Sequence, residues 1–445
     1  MNKDLTVGEP RKILWQFAMP MFISVIFQQL YNIADSVIVG NFAMHGEDAV
    51  AAVGASYPIT MIFMAIALGC NTGCAVVISQ LFGAKRYRDM KTAVYTTLLA
   101  SLALSGILTV LGLLFSKSML RMISTPENIF QDADVYLKIY IGGFIFLFFY
   151  NVVTGVFTSL GDSKTPLYFL IGSSVSNILL DYLFVAFFHW DVAGVAWATF
   201  LCQGVACILA LITLWRRLKV VECEGKAEVF SWSMLQKIMS FAIPSILQQS
   251  FISVGNIFIQ NLINGFGSPV IAGYSAAIKI NTFAITCFTT IGNAVSSFTA
   301  QNIGAGREDR IRQGLRAGFL MGFMIAVPFF VSGFFAGNTL ITLFMKEQSS
   351  LALETGMEFL KIVSPFYFVI PMKLIADGIL RGSGAMRYFM VATFSDLILR
   401  VILGYLLAVP FGTTGIWMSW PIGWGFGTFF SLLFYAKGVW RGKTA

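Results

Sequence analysis

Long apolar runs, interrupted by short polar or basic stretches, recur along the whole chain, and each comes close to the roughly 20 residues a helix needs to cross a hydrocarbon core. The pattern predicts twelve spans, near residues 13–39, 50–81, 92–115, 132–159, 167–188 and 192–215, then 238–264, 270–302, 315–337, 352–380, 388–409 and 413–436. The run starting at Ile13 is too long for a signal-peptide core and has no small-residue cleavage site, so it is expected to remain as span 1. The fold class expected is an all-α polytopic membrane protein.

The pattern also repeats. Phe17-Ala18-Met19-Pro20 returns as Phe241-Ala242-Ile243-Pro244, and Asn32 as Asn256. After a shorter loop, Gln80, Gly83, Ala84 and Arg86 match Gln301, Gly304, Ala305 and Arg307, and Gly161 matches Gly382. Six spans per copy put both copies in the same orientation, so the repeats are parallel and related by a pseudo-two-fold axis along the membrane normal. The expected organisation is two six-helix bundles, an N-lobe over 1–222 and a C-lobe over 223–445, joined by the polar stretch from Arg216 to Ser231. Two such bundles around a cleft are the architecture of a rocker-switch transporter.

Composition sharpens this picture. Of 445 residues, 57% are hydrophobic and 12% charged, with a mean hydropathy of +0.77, whereas a soluble chain carries about 25% charged residues. An ordinary water-soluble enzyme is excluded. Of the 30 Lys and Arg, 22 lie on the N-terminal side of the membrane, Lys117, Arg121 and Lys346 lie on the other, and five lie within spans. That asymmetry predicts both termini inside. The net charge of +8 is spread among loops rather than gathered on one face, so no nucleic-acid partner is expected. Cys70, Cys74, Cys202, Cys207 and Cys287 sit in apolar segments, Cys223 in a basic loop, and His45 and His189 in outer loops. Neither a disulfide framework nor a metal cluster nor a catalytic constellation follows, and the chain is not expected to be an enzyme.

The informative residues are those a bilayer rejects. Four of 22 acids fall well inside spans, Asp35, Asp181, Asp377 and Asp396, each costing on the order of 3 kcal/mol at the bilayer centre. Gln28, Tyr31, Asn32 and Asp35 share one face of span 1; Ser173, Asn177 and Asp181 share a face of span 5. Asn151, Thr154 and Thr158 line span 4, and Thr199 and Gln203 span 6, so four stripes could enclose one hydrated cavity. Span 7 keeps Gln249, Ser253, Asn256 and Gln260 but places Ile259 where the first half has Asp35, and Arg400 falls near the counterpart of Asp181. Asp396 and Arg400, four apart, are expected to neutralise each other, and Asp377 to pair with Lys373 or Arg381. Lys279 in span 8 either snorkels or lines the cleft. Asp35 and Asp181 have no basic residue within a turn, so they are the candidates for taking up a cation, either a proton or a sodium ion held by oxygen ligands.

With twelve spans in two lobes, a proline in spans 1 and 7 and Gln-x-x-Gly-Ala after spans 2 and 8, the chain resembles the multidrug and toxic compound extrusion (MATE) family. The run Gln28-Gln29-Leu30-Tyr31-Asn32-Ile33-Ala34-Asp35 is similar to the DinF-like branch, where this aspartate is the cation-coupling carboxylate. The resemblance implies a cation site at Asp35, Asn177, Asp181 and Thr199. It implies a substrate cavity at Gln28, Tyr31, Asn151 and Thr154 and a helix bend at Pro20; the polar stripes add Asn32 and Gln203 to that cavity, with Gln249 and Asn256 from the second half. The NorM-like branch carries a further carboxylate in span 7, where this chain has Gln248 and Gln249.

The function implied is secondary active efflux of lipophilic, often cationic compounds in exchange for protons or sodium. It would need no cofactor beyond the coupling ion, and would take place in a bacterial-type plasma membrane with a monomer sufficient. The alternative is a related flippase for lipid-linked precursors, which would need a strongly cationic cavity. The bases within spans are Lys138, Lys279, Lys361, Lys373 and Arg400, few for that task.

Overall fold

The computed structural model describes residues 4–42, 46–123, 125–342 and 350–441, without the side chains of 35–37, 39–42 and 46–50. These residues form α1 (Pro10–Phe42), α2 (Gly46–Gly83), α3 (Tyr87–Met122), α4 (Glu127–Ser159), α5 (Lys164–Asp181), α6 (Asp191–Val220) and α7 (Trp232–Asn264). They continue as α8 (Ser268–Gly304), α9 (Glu308–Phe335), the short α10 (Gly337–Thr342), α11 (Ser350–Val363), α12 (Ile370–Gly382) and α13 (Met386–Ala436).

Ten of these helices are long and apolar enough to cross a membrane, and α11 with α12, bent by 49°, make an eleventh crossing. Pro365 and Pro371 cause that bend: each lacks the N–H that a continuous helix would use, and a 3₁₀ turn over Ser364–Phe368 takes up the break. The single helix expected over 352–380 is therefore two. A straight α13, at 51 residues, would run about 77 Å, more than twice a core of about 30 Å. It reverses at Gly412, whose φ of 58° and ψ of −135° suit glycine. Its two arms then lie so close that a Cβ at Gly415 would stand 2.1 Å from the Leu407 carbonyl oxygen. Counted as two spans, the arms complete the twelve-span fold.

Burial is arranged as a bilayer requires. In α3 the buried face carries Thr97, Ser101, Ser105, Thr109 and Ser116, while Leu102, Ile107, Val110, Leu114 and Phe115 are exposed. Small hydroxyl residues four apart let a neighbouring helix approach, and leucine-sized side chains face lipid. Within the helices the backbone groups bond along the chain, and many hydroxyls bond back one turn, as Thr97 does to the Ala93 carbonyl at 2.7 Å.

Packing divides the chain into two units, one of Ile23–Gln249 and the other of Asp4–Phe22 with residues 250–441. In the first, α4 packs against α2, α3 and α6, and α5 against α6. In the second, α8 packs against α9, α11 and α12, and α12 against α13. The first half of α1 belongs to the second unit, where Leu14, Phe17 and Ala18 join Ile291, Val295, Phe298 and Ile379 in one core.

The basic loops have work beyond topology. In the second unit, Gln301 Oε1 accepts the Leu5 N–H at 2.9 Å, Arg310 and Asn302 donate to the Leu5 carbonyl, and Arg307 donates to that of Thr6. The segment ahead of α7 is held in the same manner in the first unit. There the N–H groups of Glu228 and Ser231 reach Thr92 and Thr96, and Arg88 donates to the Lys226 carbonyl.

Asp162, between α4 and α5, caps α5. It accepts the Lys164 and Thr165 N–H groups at 3.1 Å and the Thr165 hydroxyl at 2.6 Å, and is paired with Arg217 from the end of α6. Burial pushes its pKa up, but the Thr165 hydrogen bonds and the Arg217 charge outweigh that and hold the carboxyl below its ordinary range. A depressed folded pKa contributes stability above the unfolded value of about 3.9 and loses it as pH falls through the folded value. Asp162→Asn should therefore lower the melting temperature at pH 7 by an amount equivalent to about 1–3 kcal/mol, and flatten its decline below about pH 4; unfolding followed from pH 3 to 7 checks both.

The hairpin of α13 is tested by Gly415→Ala, which should cost about 1–3 kcal/mol because backbone must shift to admit the methyl. Gly425→Ala adds a methyl where nothing lies within 4 Å and should stay within about 0.5 kcal/mol. Equal melting temperatures for the two variants would contradict the close approach of the arms.

Candidate functional site

In the first unit, three helices bring polar side chains to one small cavity. α1 supplies Gln28 and Tyr31, α5 supplies Leu170, Ser173, Ser174 and Asn177, and α6 supplies Thr199, Cys202 and Gln203. Five of the residues proposed from sequence thus meet here: Gln28, Tyr31, Asn177, Thr199 and Gln203. The 3.6-residue period is the reason, since steps of three and four keep each set on one helix face. Asn177 is buried, and Asp181, one turn further along α5, is completely so. A wide π-helical turn over Tyr182–Phe187 begins directly after Asp181, a distortion that recurs at functional positions in membrane and soluble helices alike.

The cavity holds about 40 Å³. About 10–15 Å³ admits one water, so the space suits an ion with a few waters, far below the several hundred Å³ of a drug-sized pocket. A second space of about 20 Å³ adjoins it, bounded by Tyr136, Tyr140, Leu147 and Phe200 and sharing Thr199 and Gln203. Gln203 Oε1 lies buried between them and makes no hydrogen bond among the described residues.

The remaining candidates are placed as follows. Asp35 lies on α1 one turn after Tyr31, and its side chain is outside the described residues. Asn32 is exposed. Asn151 and Thr154 turn to their own helix, Asn151 Nδ2 donating to the Leu147 carbonyl at 2.9 Å and Thr154 to that of Asn151 at 2.7 Å, and neither lines these two cavities. Gln249 closes the part of α7 that belongs to the first unit. Asn256, in the second unit, accepts from Arg400 at 3.3 Å. α1 continues as a helix through Pro20.

The second unit has a different chemistry. Lys373 Nζ lies 2.9 Å from Asp377 Oδ2 and 3.5 Å from Asp396 Oδ2, with all three side chains buried. Ser431 donates to the other Asp377 oxygen at 2.6 Å. Gly423 and Gly427, on the second arm of α13, leave room for this cluster: a Cβ on either would collide with Asp396 or Lys373. The expected pairing of Asp377 with Lys373 is present, but that of Asp396 with Arg400 is not. Arg400 instead stacks on Trp420, 4.2 Å from the ring centre, and reaches Asn256. Cation–π stacking serves a guanidinium in a dry interior, and Lys373, on a neighbouring helix, is nearer to the carboxylate. Arg381 likewise turns to Asn293 at 2.6 Å and to Ser296.

Sequence reasoning missed Glu358 in α11. Its carboxylate accepts from Thr414 and, at 3.2 Å, from Trp417 Nε1, both on the second arm of α13. The signal available was an acid six residues inside a span predicted from residue 352.

Membrane-spanning helices in two repeated units, with an oxygen-lined cavity inside one of them, define a polytopic transporter. The MatE family model matches the chain twice, over residues 20–183 and 244–406. The chain belongs to this family, the MATE multidrug efflux transporters, and the two matches are the two halves of the internal repeat. Among relatives, the chain is 30% identical to the probable multidrug resistance protein YpnP of Bacillus subtilis, over 98% of this chain and 97% of that protein. It is 22% identical to the DNA damage-inducible protein F of Escherichia coli, over 75% and 72% of the two. A solved structure of a MOP superfamily transporter from Pyrococcus furiosus has the same fold, with a TM-score of 0.91 and 22% identity, covering 98% of this chain and 97% of that one.

Lys373→Met should cost about 3–5 kcal/mol, because it leaves two buried carboxylates without their shared cation. Adding Asp377→Asn should recover part of that loss. Thermal unfolding of both variants in detergent is the check, and a Lys373→Met protein as stable as the wild type would contradict the shared ion pair.

Proposed function

We propose that the chain is a secondary active antiporter that exports lipophilic, often cationic compounds in exchange for a proton or a sodium ion. The observation that carries this reading is the ion-sized cavity in the first unit, where Gln28, Tyr31, Asn177, Thr199 and Gln203 converge beside the buried Asp181. Carboxylate, amide and hydroxyl oxygens suit a hard cation, and a buried carboxyl suits a proton. Asp35, one turn from Tyr31 on α1, supplies the second carboxylate in this reading, with Asn177 and Thr199 completing the set.

Coupling follows from competition. An ion bound at the two aspartates neutralises the charge that attracts a cationic substrate, so ion and substrate favour different conformations, which is the differential affinity that alternation requires. The 22 to 3 division of basic residues between the two sides supports a cytoplasmic position for both termini in this reading. The flippase alternative needs basic groups available to a pyrophosphate. Lys373 and Arg400 are buried at 3% and 5% exposure and already engaged, which favours the efflux reading.

The test is release of a preloaded fluorescent lipophilic cation from proteoliposomes under a proton gradient and a sodium gradient imposed separately. Wild type should respond to one gradient. Asp35→Asn and Asp181→Asn should each reduce that response by at least about 100-fold, the effect of losing roughly 3 kcal/mol of coupling, while inserting normally. Full activity in either variant overturns the assignment of that residue, and no response to either gradient overturns the antiport reading.

A further inference from the structure

A second cavity in the first unit is of another kind. It holds about 370 Å³ and lies along the seam of α5 and α6, walled by Tyr168, Gly172, Ser176, Leu201, Val205 and Leu209. Tyr168, Leu201, Val205 and Leu209 are 66, 42, 58 and 48% exposed on helices long and apolar enough to span a membrane, so the groove opens on an apolar outer face of these two helices. From Tyr168 to Leu180 it follows α5 for about 18 Å. Ser173 and Cys202 border both this groove and the ion-sized cavity. The two spaces are therefore back to back, with one side-chain layer between them.

We infer that this groove is a lateral binding site that holds a membrane-dissolved, lipophilic organic cation of drug size beside the ion-sized cavity of the first unit. Its volume lies within the 300–1,000 Å³ of small-molecule sites, whereas the polar cavity behind it is too small for such a molecule. The lining says which lipophile. Ser176, midway along the 24-residue span Lys164–Phe187, exposes a hydroxyl that makes no hydrogen bond within the described residues. A hydroxyl in hydrocarbon without a partner is costly, and an acyl chain would leave it so. A cation offers a charge to its lone pairs and to the faces of Tyr168 and Phe169, and no basic residue lines the groove to repel it. Gly172 keeps the space open: nothing lies within 4 Å of where its Cβ would stand. The inference rests on the efflux reading for the direction of travel, but the occupancy of the groove does not.

The experiment uses tetraphenylphosphonium carrying one phenyl-diazirine, photolysed with the full-length protein in proteoliposomes, with adducts mapped by mass spectrometry. Adducts are expected on the α5 and α6 segments from Tyr168 to Leu209. They should be displaced by excess unlabelled tetraphenylphosphonium and reduced about tenfold, 1.4 kcal/mol of binding, by Gly172→Trp, which fills the groove. Val205→Trp fills it from the other wall and should act alike, whereas Gly106→Trp, on α3 and equally free of neighbours, should leave labelling unchanged. Adducts spread evenly over all lipid-facing helices, or untouched by both groove-filling variants, overturn the proposal. Adducts that unlabelled tetraphenylphosphonium does not displace assign the groove to bilayer lipid and also overturn it. Efflux of the same cation, measured in parallel, separates the two readings. Displaceable labelling without gradient-driven efflux upholds the groove and overturns efflux; efflux without groove labelling does the reverse.

Discussion

The cost of a polar group in hydrocarbon governs this molecule. With no water at depth, each backbone donor and acceptor must be met inside its own helix, and each polar side chain must be met by another protein group or by something the protein binds. Hydroxyls on α3 and α4 meet the second condition by bonding one turn back, as Thr97, Thr154 and Thr158 do. Lys373, Asp377 and Asp396 of the second unit meet it through one another. Gln203 Oε1 and the Ser176 hydroxyl are among the described groups that the chain leaves without a hydrogen bond.

The two units solve the same constraint differently, although their sequences descend from one repeat. In the second, Lys373 serves as a covalently tethered cation for two carboxylates, and Arg400 rests on Trp420. A tethered ammonium cannot leave, so Lys373 holds the two carboxylates together whatever ion is in solution. In the first, amides and hydroxyls line the cavity, and no basic residue is among the residues that bound it. The buried Ile259, at the repeat position of Asp35, removes even the carboxylate from the second unit. Under the proposed function, this division assigns ion coupling to one unit and leaves the other as a fixed framework.

How much of this was legible in the sequence depended on how local its cause was. Span positions, the repeat and the shared faces of Gln28 with Tyr31 and of Thr199 with Gln203 follow from hydropathy and the helical period, and the folded chain shows them together. The bend between α11 and α12 was readable in principle from Pro365 and Pro371, but a continuous apolar run masked it. The partner of Asp396 was not readable at all. Spacing of four suggested Arg400, and the choice of Lys373 depends on how α12 and α13 pack, which in turn depends on Gly423 and Gly427 leaving room. Asn151 and Thr154 show the opposite limit: their stripe is real, yet local hydrogen bonds to Leu147 and Asn151 satisfy it, and polarity alone does not distinguish a lining residue from one bonded to its own helix.

Size separates two tasks that sequence polarity had merged. Residues proposed for the ion and residues proposed for the substrate came from the same stripes, and a single cavity for both was the natural reading. A volume near 40 Å³ cannot hold an ion and a drug together in this conformation. Either the polar cavity enlarges when the substrate arrives, or the substrate's bulk stays elsewhere and only its charge is felt at the aspartates. The seam of Ser173 and Cys202 makes the second arrangement possible without unfolding any packed layer, because side chains there already face both spaces. Attraction across one such layer in a low-dielectric interior remains strong, since a charge pair is screened there far less than in water. Competition between ion and substrate then requires no shared atoms, only a shared field.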